Sequence, residues 1–328
     1  MLVTSTVSLV IAALGADALR FVESTPPRRR PLAAQAVAEP VVQTTPSFGA
    51  TMATETPSDD TNLVVLKAKI LQAGATLDRG QGYNPTSGEQ YKDRMDAAVR
   101  CVDALVRAGE PLGKATVSLE AIAGPWELVF SSVPHGIFRS SPFFLAIDAA
   151  YRMAGAPEKA ELFFKLHELQ TCSWGASKIG RVGQTIDAEA GVLYSEFDTQ
   201  LFALTVIPIL GWFKLLPTFG GCVVTASKIL GLGAATPDDE SSTDGSPGGT
   251  VLDLEVDYTT AKPVDGLPGL GEWIWNVKVP VGLVWRWLPW NKGRAPTCAV
   301  TIRYADEDFR VVQDAGGEYF VYTRPVLA

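Results

Sequence analysis

The chain has 328 residues, 47% hydrophobic and 20% charged, which excludes disorder along its whole length and suits one large domain or two ordinary ones. A net charge of −8, with no Lys/Arg block beyond Arg28–Arg30, excludes the electrostatic footprint of a nucleic-acid binder. Four scattered cysteines (Cys101, Cys172, Cys222, Cys298) never form a C-x-x-C, which speaks against a zinc ribbon, a redox dithiol or a compact disulfide framework. Free thiols serving as small hydrophobes are the default, with one long-range disulfide left open. The two histidines, His135 and His167, have no partner at metal-ligand spacing, so neither a metal nor a cofactor is expected.

Residues 3–16 are uncharged and mostly apolar and end at Ala16-Asp17-Ala18, the pattern of a cleaved signal peptide over 1–18, although the usual basic start is missing. Residues 19–58 are rich in Pro, Ala, Ser and Thr and carry Arg20, Arg28, Arg29 and Arg30 with few acids, as transit peptides do. A signal peptide followed by a transit peptide resembles the two-part import sequence of algae with secondary plastids, and Phe21 lies close to the expected cleavage site. A secreted protein with a disordered N-terminus is the alternative.

Residues 59–328 form the expected folded part. Helices are predicted within 61–108. Asp59-Asp60-Thr61 supplies capping oxygens ahead of Leu63, Leu66 and Ile70. After a Gly-rich break at 78–82, Met95, Val99, Val102 and Val106 recur at helical spacing, with Leu105 beside them and Gly109 as the stop. From Trp126 the period becomes two. Trp126, Leu128 and Phe130 are expected on one face, as are Val182, Gln184 and Ile186, then Leu193, Ser195 and Phe197. The same holds for Leu252, Leu254, Val256 and Tyr258, and for Cys298, Val300, Ile302 and Tyr304. Adding 222–229 and a closing hairpin (309–313, turn 314–317, 319–324) gives about eight strands. The expected class is mainly β with added helices (α+β): an antiparallel barrel over 124–325, of a size able to hold one small ligand. A helical insert is predicted over 142–169, capped by Ser141, and a solvated acidic loop over 236–249.

Gly124-Pro125-Trp126, just ahead of the first strand, resembles the G-x-W signature that opens lipocalin barrels. There the Trp closes the barrel floor and an Arg from the end of the last strand packs across its ring; Arg324 stands in that place. Gly124, Trp126 and Arg324 are thus expected to close the barrel.

A wider resemblance is to the plastid lipid-associated protein (fibrillin) family, itself lipocalin-like. It is carried by Gly124-Pro125-Trp126-Glu127-Leu128-Val129-Phe130-Ser131-Ser132, Lys178-Ile179-Gly180-Arg181-Val182-Gly183-Gln184, Ser195-Glu196-Phe197-Asp198, and Tyr304-Ala305-Asp306-Glu307-Asp308-Phe309-Arg310-Val311 running into Gly317-Glu318-Tyr319-Phe320-Val321-Tyr322-Thr323-Arg324. His135-Gly136-Ile137-Phe138-Arg139-Ser140-Ser141-Pro142-Phe143-Phe144 suggests a particular subgroup. The insert, the acidic loop and a Trp-rich stretch depart from the family pattern. The resemblance implies a plastid protein at thylakoid membranes or plastoglobules that binds carotenoids, quinones, tocopherols or other lipids without catalysis.

Trp126, Phe130, Phe197 and Tyr258 are the candidate aromatic lining of the interior. Gln184 is the candidate polar group, bonding either backbone or a ligand's polar end. Asp306, Asp308 and Arg310 form a candidate charge cluster at the rim, or a turn fixed by an ion pair. Residues 201–219 are apolar but broken by Pro208 and Pro217. Trp273, Trp275, Trp285, Trp287 and Trp290, interspersed with Lys278, Arg286, Lys292 and Arg294, have the composition of a membrane interface; a core plug fits them equally. For an enzyme acting on an isoprenoid or lipid, His135 with Asp148 is the single reactive pair that can be assembled. A lipid-droplet coat protein without a cavity is a second alternative.

Overall fold

The computed structural model describes residues 59–81, 90–109, 117–171, 177–201, 206–207, 213–214, 219–235, 248–264, 277–288 and 291–326. The expected import segments, residues 236–247 of the acidic loop, Cys172, Trp273, Trp275 and Trp290 lie outside these residues.

Two helices come first, Asp59–Thr76 (α1) and Gln90–Ala108 (α2). Ile70 and Leu77 from the first segment and Met95, Ala98, Val102, Leu105 and Val106 from the second are buried together, as helical spacing predicts, with Ala98 taking the central place expected of Val99. Eight strands follow: Gly124–Ser131 (β1), Ser177–Asp187 (β2), Val192–Leu201 (β3), Phe219–Ala234 (β6), Thr250–Lys262 (β7), Thr297–Ala305 (β8), Phe309–Asp314 (β9) and Tyr319–Thr323 (β10). Two short strands, Val206–Ile207 (β4) and Phe213–Lys214 (β5), pair only with each other. The eight long strands close on themselves in the order β1-β10-β9-β8-β7-β6-β3-β2, every neighbouring pair antiparallel. Closure removes the edges that an open sheet would leave unpaired. The expected α+β class and the closed antiparallel sheet are therefore present.

The alternation runs into β-bulges, and these decide which aromatics face inward. A bulge between Leu128 and Phe130 sets Phe130 opposite Val321, whereas Leu128 opposes Tyr322. One extra residue reverses the parity of every side chain after it. Phe130 therefore joins the outer cluster beneath α1 and α2 instead of lining the interior. Tyr304 follows Phe130, because a bulge between Ile302 and Tyr304 turns it under the same helices. A third irregularity, where Ala226 pairs with Tyr258 but Ser227 with Val256, sends Tyr258 to the opposite face from Val256. There its ring receives the Lys278 ammonium at 4.5 Å. Val182, Gln184, Ile186, Leu193, Ser195, Leu252, Leu254 and Val256 are buried as their period predicts, with Phe197 half-buried.

The insert between β1 and β2 is helical: Gly136–Arg139 (α3), Pro142–Met153 (α4) and Pro157–Thr171 (α5). Ser141 stands at the N-cap of α4 and its side chain makes no capping bond; Pro142 takes the first helical position, where no backbone donor is needed. α4 packs on β6, β7 and β8. Phe138, Phe144, Ile147 and Phe164 share one buried cluster with the inward-facing Leu254, Val256, Val300, Ile302 and Phe320. The insert therefore covers the interior from the end at which β1 finishes. A last helix, Val281–Trp287 (α6), lies against β7.

α1 sits directly on the strand backbone: a Cβ at Gly74 would stand 2.1 Å from the Val129 carbonyl oxygen. Replacing Gly74 with Ala therefore forces α1 off the ring, with an expected loss of about 1–3 kcal/mol or more of stability. A denaturant midpoint equal to that of the unsubstituted chain would contradict this docking.

Candidate functional site

The polar heart of the ring is built on Trp126. Its indole is fully buried and donates Nε1 to the Ile122 carbonyl at 2.8 Å. As the G-x-W resemblance implies, the Arg324 guanidinium lies over this ring, 3.8 Å from its centroid. Arg324 is fixed by the carbonyls of Ala123 (2.6 Å), Pro125 (3.2 Å) and Glu307 (3.2 Å). Gly124, with φ +90, is a conformation that L side chains rarely adopt, and a Cβ there would meet Arg324 Nη1 at 3.1 Å.

Trp126 carries a second guanidinium. Arg310 lies 4.9 Å from the Trp126 centroid and 4.7 Å from that of Tyr322, at 1% exposure. Strand register explains the grouping: Arg310 opposes Tyr322 on β10, Tyr322 opposes Leu128, and Trp126 opposes Gln184 on β2. Arg310 Nη2 donates to Gln184 Oε1 at 2.6 Å, and Gln184 Nε2 donates to the Ser140 carbonyl at 3.2 Å. Tyr322 also engages the Ser140 side chain, although burial is the larger influence and pushes its phenol up to about 12. Burial pulls Arg310 down to about 10, and the neighbouring Arg324 charge adds to the fall. Arg310 still carries its charge at neutral pH.

The expected rim cluster is therefore not one cluster. Arg310 points into the ring because it alternates with Phe309 and Val311, which face the outer helices. Asp306 accepts from Lys67, Tyr304 and the backbone N–H groups of Asp308 and Phe309, fixing the β8–β9 turn and tying α1 to it. Asp308 accepts the Arg324 N–H through its backbone carbonyl at 3.0 Å. Gln184, for which two partners were open, bonds both backbone and a side chain.

The histidines meet within the insert. His135 Nε2 and His167 Nδ1 are 2.8 Å apart, wrapped by Phe138, Phe144 and Phe163. Phe138 in turn touches Phe197 of β3 at 5.3 Å between centroids. Burial holds His135 down at about 3 and His167 at about 4, the adjacent imidazole adding to the first. Asp148 is bound to Arg152 at 2.5 Å, not to His135, so the reactive pair assembled from sequence is not formed.

Of the Trp-rich stretch, Trp285 is buried and meets the Phe143 ring at 6.4 Å, whereas Trp287 is 79% exposed. Leu283, one turn earlier on α6, is also exposed. Of the described residues of this stretch, one is packed in the core and one faces outward. Among the described residues no helix is long and apolar enough to cross a membrane, and no group of His, Cys, Asp or Glu could hold a metal ion. No protein-family model, curated protein or solved structure matches the chain.

The Arg310–Gln184–Ser140 chain is the feature that sequence reasoning missed. Its signal lies in the closing hairpin, whose turn sets Arg310 opposite Tyr322.

Both imidazoles are neutral when folded and would titrate near 6.5 when unfolded, so the unfolded chain binds more protons at acid pH. Their contribution to stability is complete above about 6.5 and is lost as pH falls toward 4, at up to about 1.4 kcal/mol per pH unit for each proton. Asp314, raised to about 6 by burial, acts in the opposite direction over part of that range. A His167→Phe variant should accordingly lose less stability between pH 7 and 4.5 than the unsubstituted chain. Parallel stability–pH curves for the two would refute the buried neutral pair.

Proposed function

We propose that this protein is a non-catalytic carrier or organiser of apolar plastid molecules (carotenoids, quinones, tocopherols or lipids), a member of the plastid lipid-associated (fibrillin) family whose closed ring is a lipocalin-like barrel. The observation that carries the reading is Trp126 sealed by Arg324 at one end of a ring whose buried residues are mostly apolar. A closed eight-stranded sheet is the size that holds one small ligand, and apolar walls favour an apolar one. The composition of residues 1–58 supports import into a plastid, where a secondary plastid suits the two-part leader. Exposed Leu283 and Trp287, flanking Arg286, suit a peripheral contact with thylakoid or plastoglobule lipid.

The insert occupies the interior, so a ligand enters only when α3 and α4 give way. That filled interior favours one competing reading, a lipid-droplet coat protein without a ligand chamber.

Purification from plastids under native conditions, followed by mass spectrometry of extracted lipid, separates the two. One pigment, quinone or lipid per chain is the expected result; its absence transfers support to the coat protein. For the membrane contact, replacing Leu283 and Trp287 together with Ser should weaken binding to thylakoid-lipid vesicles at least about ten-fold, since burial of each such side chain is worth about 1.5–3 kcal/mol. Unchanged partitioning of the double variant would remove α6 from the membrane contact.

A further inference from the structure

Arg310 is a wholly buried cation without a counter-ion. No carboxylate among the described residues pairs with it. Its Nε has no hydrogen-bond partner, and the neighbouring Arg324 brings a like charge. A buried charge ordinarily requires a paired and hydrogen-bonded partner, because the solvation it gives up is worth several kcal/mol. Two aromatic faces and one amide oxygen replace only part of that solvation.

We propose that Arg310 is the anchor of an anion site inside the ring, taking the carboxylate of a single-chain apolar acid. The inference rests on the carrier reading and specifies its ligand class. A carboxylate matches the planar guanidinium fork and brings the single negative charge that Arg310 lacks. Phosphate would bring nearly two negative charges against one cation and so leave an uncompensated charge in its turn. The head group takes its place beside Ser140, which already meets both Gln184 and Tyr322 where the insert touches the ring wall. The chain of the acid then lies along the apolar wall that Phe138 and Phe144 now cover. Gln184 orients the guanidinium through its 2.6 Å bond and is a positioning residue.

The test compares acids with uncharged analogues on the delipidated full chain, by equilibrium dialysis or calorimetry. Palmitate is set against hexadecanol, and retinoate against retinol, so that a linear and a cyclic isoprenoid source of the same carboxylate are told apart. The acid of at least one pair should bind at least about ten-fold more tightly than its alcohol, a charge-assisted bond being worth at least that much. Gln184→Glu places a carboxylate against Arg310 from within the protein and should bring that ratio to about one. Arg310→Gln should do the same. Should Arg310→Gln fail to fold, the acid-to-alcohol ratio of the unsubstituted chain and of Gln184→Glu decides. Equal binding of acid and alcohol, or a preference that survives Gln184→Glu, overturns the anchor and leaves the carrier standing. No binding of any of the four also overturns the anchor, and the mass spectrometry of extracted lipid then decides the carrier reading by itself.

Discussion

Trp126 in contact with two guanidiniums is the interaction on which the rest of the ring depends. β1 must pair on one side with β10, the last strand, and on the other with β2, which returns only after the whole helical insert. Trp126 stands at that junction, and Arg324 from just past β10 and Arg310 from β9 converge on its ring from their own segments. Each such contact is worth about 0.5–2 kcal/mol, rising with desolvation. The carbonyls of Ala123 and Pro125, which accept from Arg324, tie the approach to β1 to the end of the chain. The long loop that closure of the ring demands is thus secured at the place where it is entropically most expensive.

The bulges divide the remaining work. By reversing parity at Phe130 and Tyr304 they take two large aromatics from the interior and give them to the outer face. There they meet Ile70, Val102 and Leu105, and an amphipathic helix pair that could not bury its apolar face alone gains a platform. The interior loses volume in the same step, which leaves room for the insert's Phe138 and Phe144. One local device therefore serves two cores.

Two sets of the buried polar groups join the insert to the ring or lie within it. Arg310, Gln184 and Ser140 join the ring wall to the insert, and the paired histidines lie among phenylalanines within the insert itself. Both places lie where the insert meets the inward-facing residues. Groups with buried, incompletely compensated polarity are where a ligand or a proton has the largest effect on conformation.

The sequence by itself determined the strand count, the closing hairpin, the apolar face of α2, the helical insert and the pairing of Trp126 with Arg324. All of these follow from local periodicity, turn chemistry or a short motif. It could not place Phe130, Tyr258 or Tyr304, because a bulge adds one residue without leaving a compositional mark, and strict alternation then assigns the wrong face. Nor could it place Arg310. Both faces of β9 are buried, one by the interior and one by α1 and α2, so no hydrophobic contrast distinguished inside from rim. The His135–His167 contact spans the insert and needed the packing of α3 against α5. Periodicity reports which residues share a face; only the tertiary structure decided what each face meets.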